Sequence, residues 1–130
     1  MAVLTKLNLK ADELKTRQTI TVPVPQWGKD AEIMVTKRTV AGYVYQSNLQ
    51  RRVSQMEGLT DQARTALVLC SQIMSVMVHP DNGDFLLPES ELENFTAQVN
   101  EDTLEALMLA DAELNPRKEY ISLAEKKSES

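Results

Sequence analysis

The side chains that could carry catalysis are few. The sequence contains one histidine, His79, and one cysteine, Cys70. His79 precedes Pro80 at the expected end of a helix, where a capping or hydrogen-bonding role is more common than general base catalysis. Cys70 lies among apolar residues at helical spacing, which indicates a buried structural thiol rather than a nucleophile or half of a disulfide. Neither residue predicts a catalytic centre.

The oxygen-bearing side chains also lack a catalytic or metal-binding pattern. Asp81-Asn82-Gly83-Asp84 offers oxygen ligands, but it lacks the spacing and the terminal glutamate of a calcium loop and predicts a turn. Ser71 and Ser75 lie on the apolar helix and are expected to have no histidine partner, so nucleophilic catalysis has almost no support. The acids from Glu89 onward are expected to be exposed on helices. No CxxC, HExxH or phosphate-binding glycine loop occurs, so we expect no enzyme, no metal and no cofactor.

The segment that must position these residues is the most apolar part of the chain. Between Thr60 and Pro80, apolar residues recur at steps of three and four, which predicts a helix buried on several sides. Thr60 is expected to cap its start, and His79-Pro80 to end it. The predicted inward residues are Ala63, Ala66, Leu67, Leu69, Cys70, Ile73, Met74, Val76, Met77 and Val78.

The N-terminal part predicts a β-hairpin. Ile20, Val22 and Val24 alternate with polar residues, and a second alternating run over residues 31–36 follows a turn at Trp27-Gly28. Prolines at 23 and 25 place the first strand at an edge or at its end. Trp27 could contact a partner or fold back over the core, and folding back is favoured because large aromatic side chains usually contribute burial. A short helix after Asn8 is also possible.

Three further helices are predicted. One runs from Thr39 to Met56 and ends near Gly58, the next begins at Pro88, and the last is capped by Asn100 and ends at Asn115-Pro116. Their expected inward residues are, in chain order, Val40, Tyr43, Val44, Val53 and Met56; Leu92, Phe95 and Val99; and Leu104, Leu107, Met108 and Leu114. The expected fold is α+β, a mainly helical single domain in which an N-terminal β-hairpin packs on about four helices.

Length and composition bound the class of protein. The chain has 130 residues, enough for one core, with 42% hydrophobic and 25% charged residues. We expect one domain over residues 1–116 and a flexible tail over residues 117–130. No apolar run approaches the roughly 18 residues of a membrane span, and no export signal is recognised, so a soluble cytoplasmic protein is expected.

Charge is distributed unevenly along the chain. Residues 1–64 carry ten Lys and Arg against six Asp and Glu, a net charge of +4, whereas residues 65–130 carry four against thirteen, a net charge of −9. Ten acids and no Lys or Arg lie between His79 and Asn115, which argues against a nucleic-acid surface there. A solvated acidic face is the simpler interpretation, and head-to-tail attraction between copies is the alternative, which would give a homo-oligomer.

These features together resemble a known family. A Val- and Pro-rich strand leads to Trp27-Gly28, then to a second strand and a helix with Arg51-Arg52. An apolar helix, an Asp-Asn-Gly-Asp-Phe turn that contains Gly83 and Phe85, and a capped acidic helix complete the pattern. Over residues 18–115 this order resembles the tail assembly chaperones of long-tailed, siphophage-type bacteriophages. The turn departs from the family's Asp-x-x-Gly-x-x-Phe-like spacing, because Gly83 and Phe85 are closer together here.

The resemblance implies a non-enzymatic role in virion assembly. Such a chaperone is made in the host cell cytoplasm, binds the tape measure protein, promotes assembly of the tail tube protein around it, and is absent from the mature virion. The tail tube contacts belong to a longer, frameshifted form. Arg51, Arg52, Tyr120, Ile121 and Leu123 are the candidate partner-binding residues. The alternative is a small acidic adaptor or inhibitor that occupies a basic or nucleic-acid-binding site on another protein.

Overall fold

A computed structural model of the chain describes residues 18–116. In chain order its elements are β1 (Thr19–Pro23), β2 (Glu32–Thr36), α1 (Val40–Ser54), α2 (Asp61–Met74), β3 (Met77–Val78), α3 (Leu92–Gln98) and α4 (Glu101–Leu114). Short 3-10 turns over Pro25–Trp27 and Glu89–Glu91 precede β2 and α3. The predicted α+β class, with an N-terminal hairpin and four helices, is confirmed. The possible helix after Asn8 and the tail from residue 117 lie outside the described residues.

The hairpin forms as its alternating pattern predicts. β1 pairs antiparallel with β2, so that Thr19 is opposite Thr36 and Pro23 is opposite Glu32. Val22 and Val24 are buried and Ile20 is partly buried against the core, which confirms the predicted inward face. β1 is the edge of the sheet, where Pro23 removes no ladder hydrogen bond that a neighbouring strand needs.

A third strand replaces the end of the predicted central helix. α2 ends at Met74, and Met77–Val78 pairs antiparallel with β2, with Met34 opposite Val78 and Val35 opposite Met77. The expected helix as far as His79 was therefore wrong. β-branched valines flank Met77, Pro80 disfavours helical backbone just before it, and the second edge of β2 offers unpaired backbone groups. These three effects together favour the extended conformation.

Polar caps start the long helices. The side chain of Thr60 accepts a hydrogen bond from Ala63 N at 3.0 Å, and that of Asn100 accepts one from Thr103 N at 2.9 Å. Thr39 caps α1 in the same way through Gly42 N, at 3.0 Å. Each cap satisfies a backbone donor that has no partner within the helix, which typically contributes about 1 kcal/mol. The predicted caps at Thr60 and Asn100 are confirmed.

Helix α2 lies at the centre of the core. Its buried side chains include Leu67, Cys70, Ile73 and Met74, and helices α1, α3 and α4 all pack on it. The core residues from the other elements are Val22, Val24, Ile33, Val35, Tyr45, Leu49, Val53, Val76, Met77, Leu92, Phe95, Leu107, Ala110 and Leu114. Burial of one such large apolar side chain contributes about 1.5–3 kcal/mol, so the helix on which the three other helices pack contributes much of the stability of the domain.

Helix α1 buries a different face from the one expected. Its buried residues are Gly42, Tyr45, Leu49 and Val53, whereas Val40, Tyr43 and Val44 are 83%, 65% and 50% exposed. The predicted inward position of these three was wrong, although Val53 is buried as predicted and Met56 is partly buried. Helix α1 has two apolar stripes, and two contacts determine which of them is buried. Gly42 allows close approach to the Ser75 carbonyl, and the Tyr45 hydroxyl donates to the Leu87 carbonyl.

Candidate interaction surfaces

The turn after β3 does not assemble a catalytic or metal-binding group. His79 is exposed, and its backbone is paired across the turn, with His79 N donating to Asp84 O at 2.8 Å and Gly83 N donating to His79 O at 2.9 Å. Asn82 Oδ1 accepts from Asp84 N at 2.9 Å, and Gly83 has φ of 76°. Over residues 18–116 no three His, Cys, Asp or Glu side chains converge on a possible metal position. The predicted turn is confirmed.

Cys70 is part of the core. Its side chain is 1% exposed on α2, and burial raises the pKa of its thiol, while a hydrogen bond with Thr96 opposes that change. A raised pKa lowers the thiolate fraction, and thiolate is the reactive form. Cys70 therefore acts as a small apolar side chain, as its position in the apolar segment predicts.

Trp27 both contacts the core and remains accessible. Its ring centroid lies 6.3 Å from that of Phe95, tilted by 30°, yet the side chain is 43% exposed. Gly28, the next residue, has φ of 142°, a backbone conformation that residues other than glycine rarely adopt. The hairpin turn thus holds Trp27 against α3 with part of its indole surface facing solvent.

Phe85 and Tyr45 form the second aromatic contact. Their rings are stacked, with centroids 4.4 Å apart, and the Tyr45 hydroxyl donates to Leu87 O at 2.8 Å. Burial, and then the nearby charge of Glu89, raise the pKa of Tyr45 to about 12, with Arg52 acting in the opposite direction. The segment after the turn is therefore bound to α1 by a ring contact and a partly buried hydrogen bond.

The two arginines at the end of α1 have different environments. Arg51 is exposed, whereas Arg52 donates to Glu89 O at 3.1 Å and forms an ion pair with Glu93 at 3.2 Å. With side chains 39% and 51% exposed, that pair contributes at most about 1 kcal/mol. Arg52 Nε is buried and has no hydrogen-bond partner. Of the two, Arg51 presents its charge to solvent, while Tyr120, Ile121 and Leu123 lie outside the described residues.

A buried polar network joins three parts of the fold. Asp111 is 3% exposed, and its carboxylate accepts from Arg38 Nη2 at 3.1 Å, Gln72 Nε2 at 2.8 Å and Asn115 Nδ2 at 2.9 Å. Arg38 N also donates to Asn115 Oδ1 at 2.7 Å, and Arg38 Nε donates to Ser75 Oγ at 3.1 Å. The expectation that the late acids are all exposed was wrong for Asp111, because three donors compensate its burial.

A shallow cavity of about 290 Å³ opens beside this network. It lies between α2 and α4 and is lined by Leu69, Gln72, Ile73, Met108, Asp111, Ala112 and Asn115. Its only charged lining residue is Asp111, whose carboxylate is already satisfied by the donors of the network. The cavity therefore offers little to orient a charged substrate.

Two exposed helix faces carry apolar side chains that sequence reasoning missed. The α1 face consists of Val40, Tyr43, Val44, Ser47 and Arg51, on the side of α1 opposite its buried residues. The α4 face consists of Asp102, Glu105, Leu109, Ala112 and Glu113, where Leu109 is 65% exposed among acids. Each set of residues follows helical spacing, so the sequence does indicate that its members share a face. The α1 face was missed because Val40, Tyr43 and Val44 were assigned to the buried side of that helix.

The fold of this chain has a counterpart among solved structures. The structure of the bacteriophage HK97 tail assembly chaperone matches it with a TM-score of 0.52 and 13% sequence identity, over 77% of this chain and 84% of that chain. The chain has the fold of a tail assembly chaperone. No family model and no curated protein matches the sequence. The resemblance expected from the residues is thus confirmed at the level of fold.

The chaperone fold leaves apolar side chains exposed in separate places. Among the described residues, the large exposed hydrophobics are Trp27 at the hairpin turn, Val40, Tyr43 and Val44 on α1, and Leu109 on α4. No helix among residues 18–116 is both long enough and apolar enough to cross a membrane.

Proposed function

We propose that this chain is a phage tail assembly chaperone, which acts by binding and carries no catalytic activity. The observation that carries the proposal is the fold shared with the HK97 tail assembly chaperone over most of both chains. The exposed hydrophobic side chains support it, since a chaperone needs accessible apolar surface on a stable scaffold. In the host cell cytoplasm such a protein would keep an aggregation-prone partner in solution until assembly begins.

The proposed partner is the tape measure protein of the same phage. A long helical protein with apolar stripes needs rigid apolar contacts, and tryptophan is enriched among residues that dominate binding energy. Trp27 meets this requirement, because Phe95 and the Gly28 turn hold it in place while 43% of it stays exposed. Arg51 supplies an accessible positive charge on another surface. The C-terminal Tyr120, Ile121 and Leu123 remain proposed contacts from sequence.

Contacts with the tail tube protein are proposed to belong to a longer, frameshifted product of the same gene. In that scheme the described domain holds the tape measure protein, and an added segment recruits tube subunits to it. Both forms leave when the tube closes, so the chain is absent from the mature virion. Weak, exposed contacts suit this release, because many small surface interactions dissociate more readily than one deeply buried site.

The second candidate function rests on the acidic half of the chain. Ten acids and no Lys or Arg lie between His79 and Asn115, and all of them except Asp111 are at least partly exposed. Such a face would attract a basic or nucleic-acid-binding site on another protein. An adaptor or inhibitor of this kind would have no role in tail formation, which separates it from the chaperone.

Deletion of the gene from its phage tests the proposal. We expect infected cells to yield filled heads without tails, and wild-type protein supplied from a plasmid to restore them. Mass spectrometry of the purified virions should detect tail tube and tape measure proteins but not this chain. Normal tails without the gene would contradict the chaperone proposal and favour the adaptor. Detection of this chain in virions at an abundance similar to that of the tail tube protein would contradict its proposed release during assembly.

A further inference from the structure

We propose that residues 117–124, the C-terminal segment that follows α4, dock in the cavity between α2 and α4 of the same molecule. The cavity has a volume of about 290 Å³, and one of about 150 Å³ already holds a benzene ring. Leu69, Ile73 and Met108 provide apolar walls, of which Leu69 and Met108 remain partly exposed. A recess of this size and polarity accommodates one or two apolar side chains.

The C-terminal segment supplies apolar side chains of the required kind. Tyr120, Ile121 and Leu123 occur within four positions, and every other residue from 117 to 130 except Ala124 is charged or a serine. All three lie outside residues 18–116, whereas every residue that lines the cavity lies within them. Contact of grouped apolar side chains with water is unfavourable, so an apolar recess close by is a favourable place for them.

The length of the chain allows this contact. Along α4 the cavity extends from Met108 to Asn115, seven positions or about 10 Å at 1.5 Å per residue. Tyr120 follows Asn115 by five positions, which can span up to about 16 Å at 3.3 Å per residue. The chain can therefore reverse after Pro116 and still reach the apolar walls. Because the segment is covalently attached at the rim of the cavity, its effective concentration is in the millimolar range, which favours it over a separate partner.

Charge complementarity favours the same arrangement. Helix α4 carries acids and no Lys or Arg, and its acids are Glu101, Asp102, Glu105, Asp111 and Glu113. The C-terminal segment begins with two bases, Arg117 and Lys118. They follow the C-terminus of α4, where free carbonyl groups carry partial negative charge, and exposed Glu113 lies four positions before Arg117. These attractions keep the start of the segment beside the cavity.

Docking would regulate access to both surfaces. It covers Leu69 and Met108, and it withholds Tyr120, Ile121 and Leu123 from other molecules. A partner that binds these three side chains must then compete with the cavity for them. Only this consequence rests on the proposed function, in which the three residues are partner contacts, since the docking itself requires nothing but the chain.

Limited digestion of the full-length chain with trypsin tests the contact, because Lys118 offers a cleavage site next to the apolar side chains. Ile121→Ser weakens the docked segment, and Ala124→Ser is its matched control. Ala112→Asp places a charge on an exposed residue that lines the cavity. Gln62→Asp, exposed on α2 and not among the lining residues, is the matched control for added charge. Mass spectrometry gives the rate of cleavage after Lys118, and circular dichroism verifies folding.

We expect Ile121→Ser and Ala112→Asp each to accelerate cleavage after Lys118 by about fivefold or more, because proteolysis follows the population of the undocked segment. Ala124→Ser and Gln62→Asp should change the rate by less than about twofold. Equal rates in wild type and Ile121→Ser would overturn the proposal. A wild-type rate that depends on protein concentration would also overturn it, since it would assign the cavity to the segment of another copy.

Nuclear Overhauser contacts locate the docked segment directly. In wild type the ring protons of Tyr120 should contact the Met108 methyl group, and Ala112→Asp should remove this contact. Tyr120→Leu identifies the ring signals. Contacts of Tyr120 only with residues that do not line the cavity, or none at all, would contradict the proposal. No tape measure protein is present in these experiments, so a negative result would leave the proposed function untouched.

Discussion

The guanidinium Nη2 of Arg38 lies 3.1 Å from Asp111 Oδ1, and this ion pair joins the connection between β2 and α1 to helix α4. The side chains are 19% and 5% exposed, so both charges are largely withdrawn from water. Gln72 and Asn115 donate to the same carboxylate. Buried charges persist only where such donors compensate for lost hydration, so the network aligns the sheet, α2 and α4 in one arrangement.

Loss of the Asp111 charge should destabilise the domain. Asp111→Asn leaves Arg38 without its anion, and we expect the free energy of unfolding to fall by about 2–3 kcal/mol, because partial solvent contact of Arg38 moderates the usual cost. Glu113→Gln, at an exposed position on the same helix, is the control and should change stability by less than about 0.5 kcal/mol. Urea unfolding followed by circular dichroism measures both. A loss of stability in Asp111→Asn no larger than the small change expected in Glu113→Gln would show that the Arg38–Asp111 ion pair does not stabilise the domain.

Gly42 should resist replacement by alanine despite its helical conformation. A Cβ there would lie 2.9 Å from Ser75 O and 3.2 Å from Arg38 Cγ, so α1 must move away from α2. We expect Gly42→Ala to lower the free energy of unfolding by about 1–3 kcal/mol, as overpacking usually does. In an open helical position the same change would add about 1 kcal/mol through helix propensity. Urea unfolding decides the sign, and a gain in stability would mean that the helices are not in close contact here.

The stability of the domain should depend on Tyr45 at alkaline pH. Burial raises the pKa of Tyr45 from 10.0 to about 12, so the folded state retains a phenolic proton that the unfolded chain releases earlier. The stabilisation is fully present below pH 10 and is lost as the pH rises toward 12. The free energy of unfolding of wild type should therefore fall more steeply over this interval than that of Tyr45→Phe. Parallel curves for the two proteins would contradict a buried Tyr45 hydroxyl.

Trp27 and Phe95 should differ in their contribution to stability although their rings touch. Phe95 is 5% exposed, and Phe95→Ala should cost about 3–5 kcal/mol. Trp27→Ala should cost about 1–2 kcal/mol, because almost half of the indole already faces water. Thermal and urea unfolding of the two variants provide the comparison. A Trp27 cost as large as that of Phe95 would place the indole in the core and remove it as a partner contact.

Local signals in the sequence predicted the hairpin and the caps correctly. Alternation over Ile20, Val22 and Val24 selects one buried face, and Thr60 and Asn100 bond to amides only three residues away. These features depend on neighbours in sequence, so composition and spacing determine them.

Features that depend on distant partners could not be predicted in the same way. β3 exists because β2 offers it an edge, and Asp111 is buried because Arg38, 73 residues earlier, reaches it. The choice between the stripes of α1 depends on Ser75 and Leu87, which belong to other elements. Because these contacts bury the other stripe of α1, Val40 and Tyr43 are exposed. Helical periodicity alone had assigned them to the core.

The proposed function requires that this chain keep a tape measure protein in solution. Co-expression of the tape measure protein from the same phage with and without this chain, followed by measurement of its soluble fraction, tests the claim most directly. We expect little soluble tape measure protein alone, and a soluble complex that copurifies when wild-type chain is present. Trp27→Ala should reduce this rescue, whereas Gln62→Asp should preserve it. An unchanged soluble fraction and no copurification with folded wild-type chain would contradict the account.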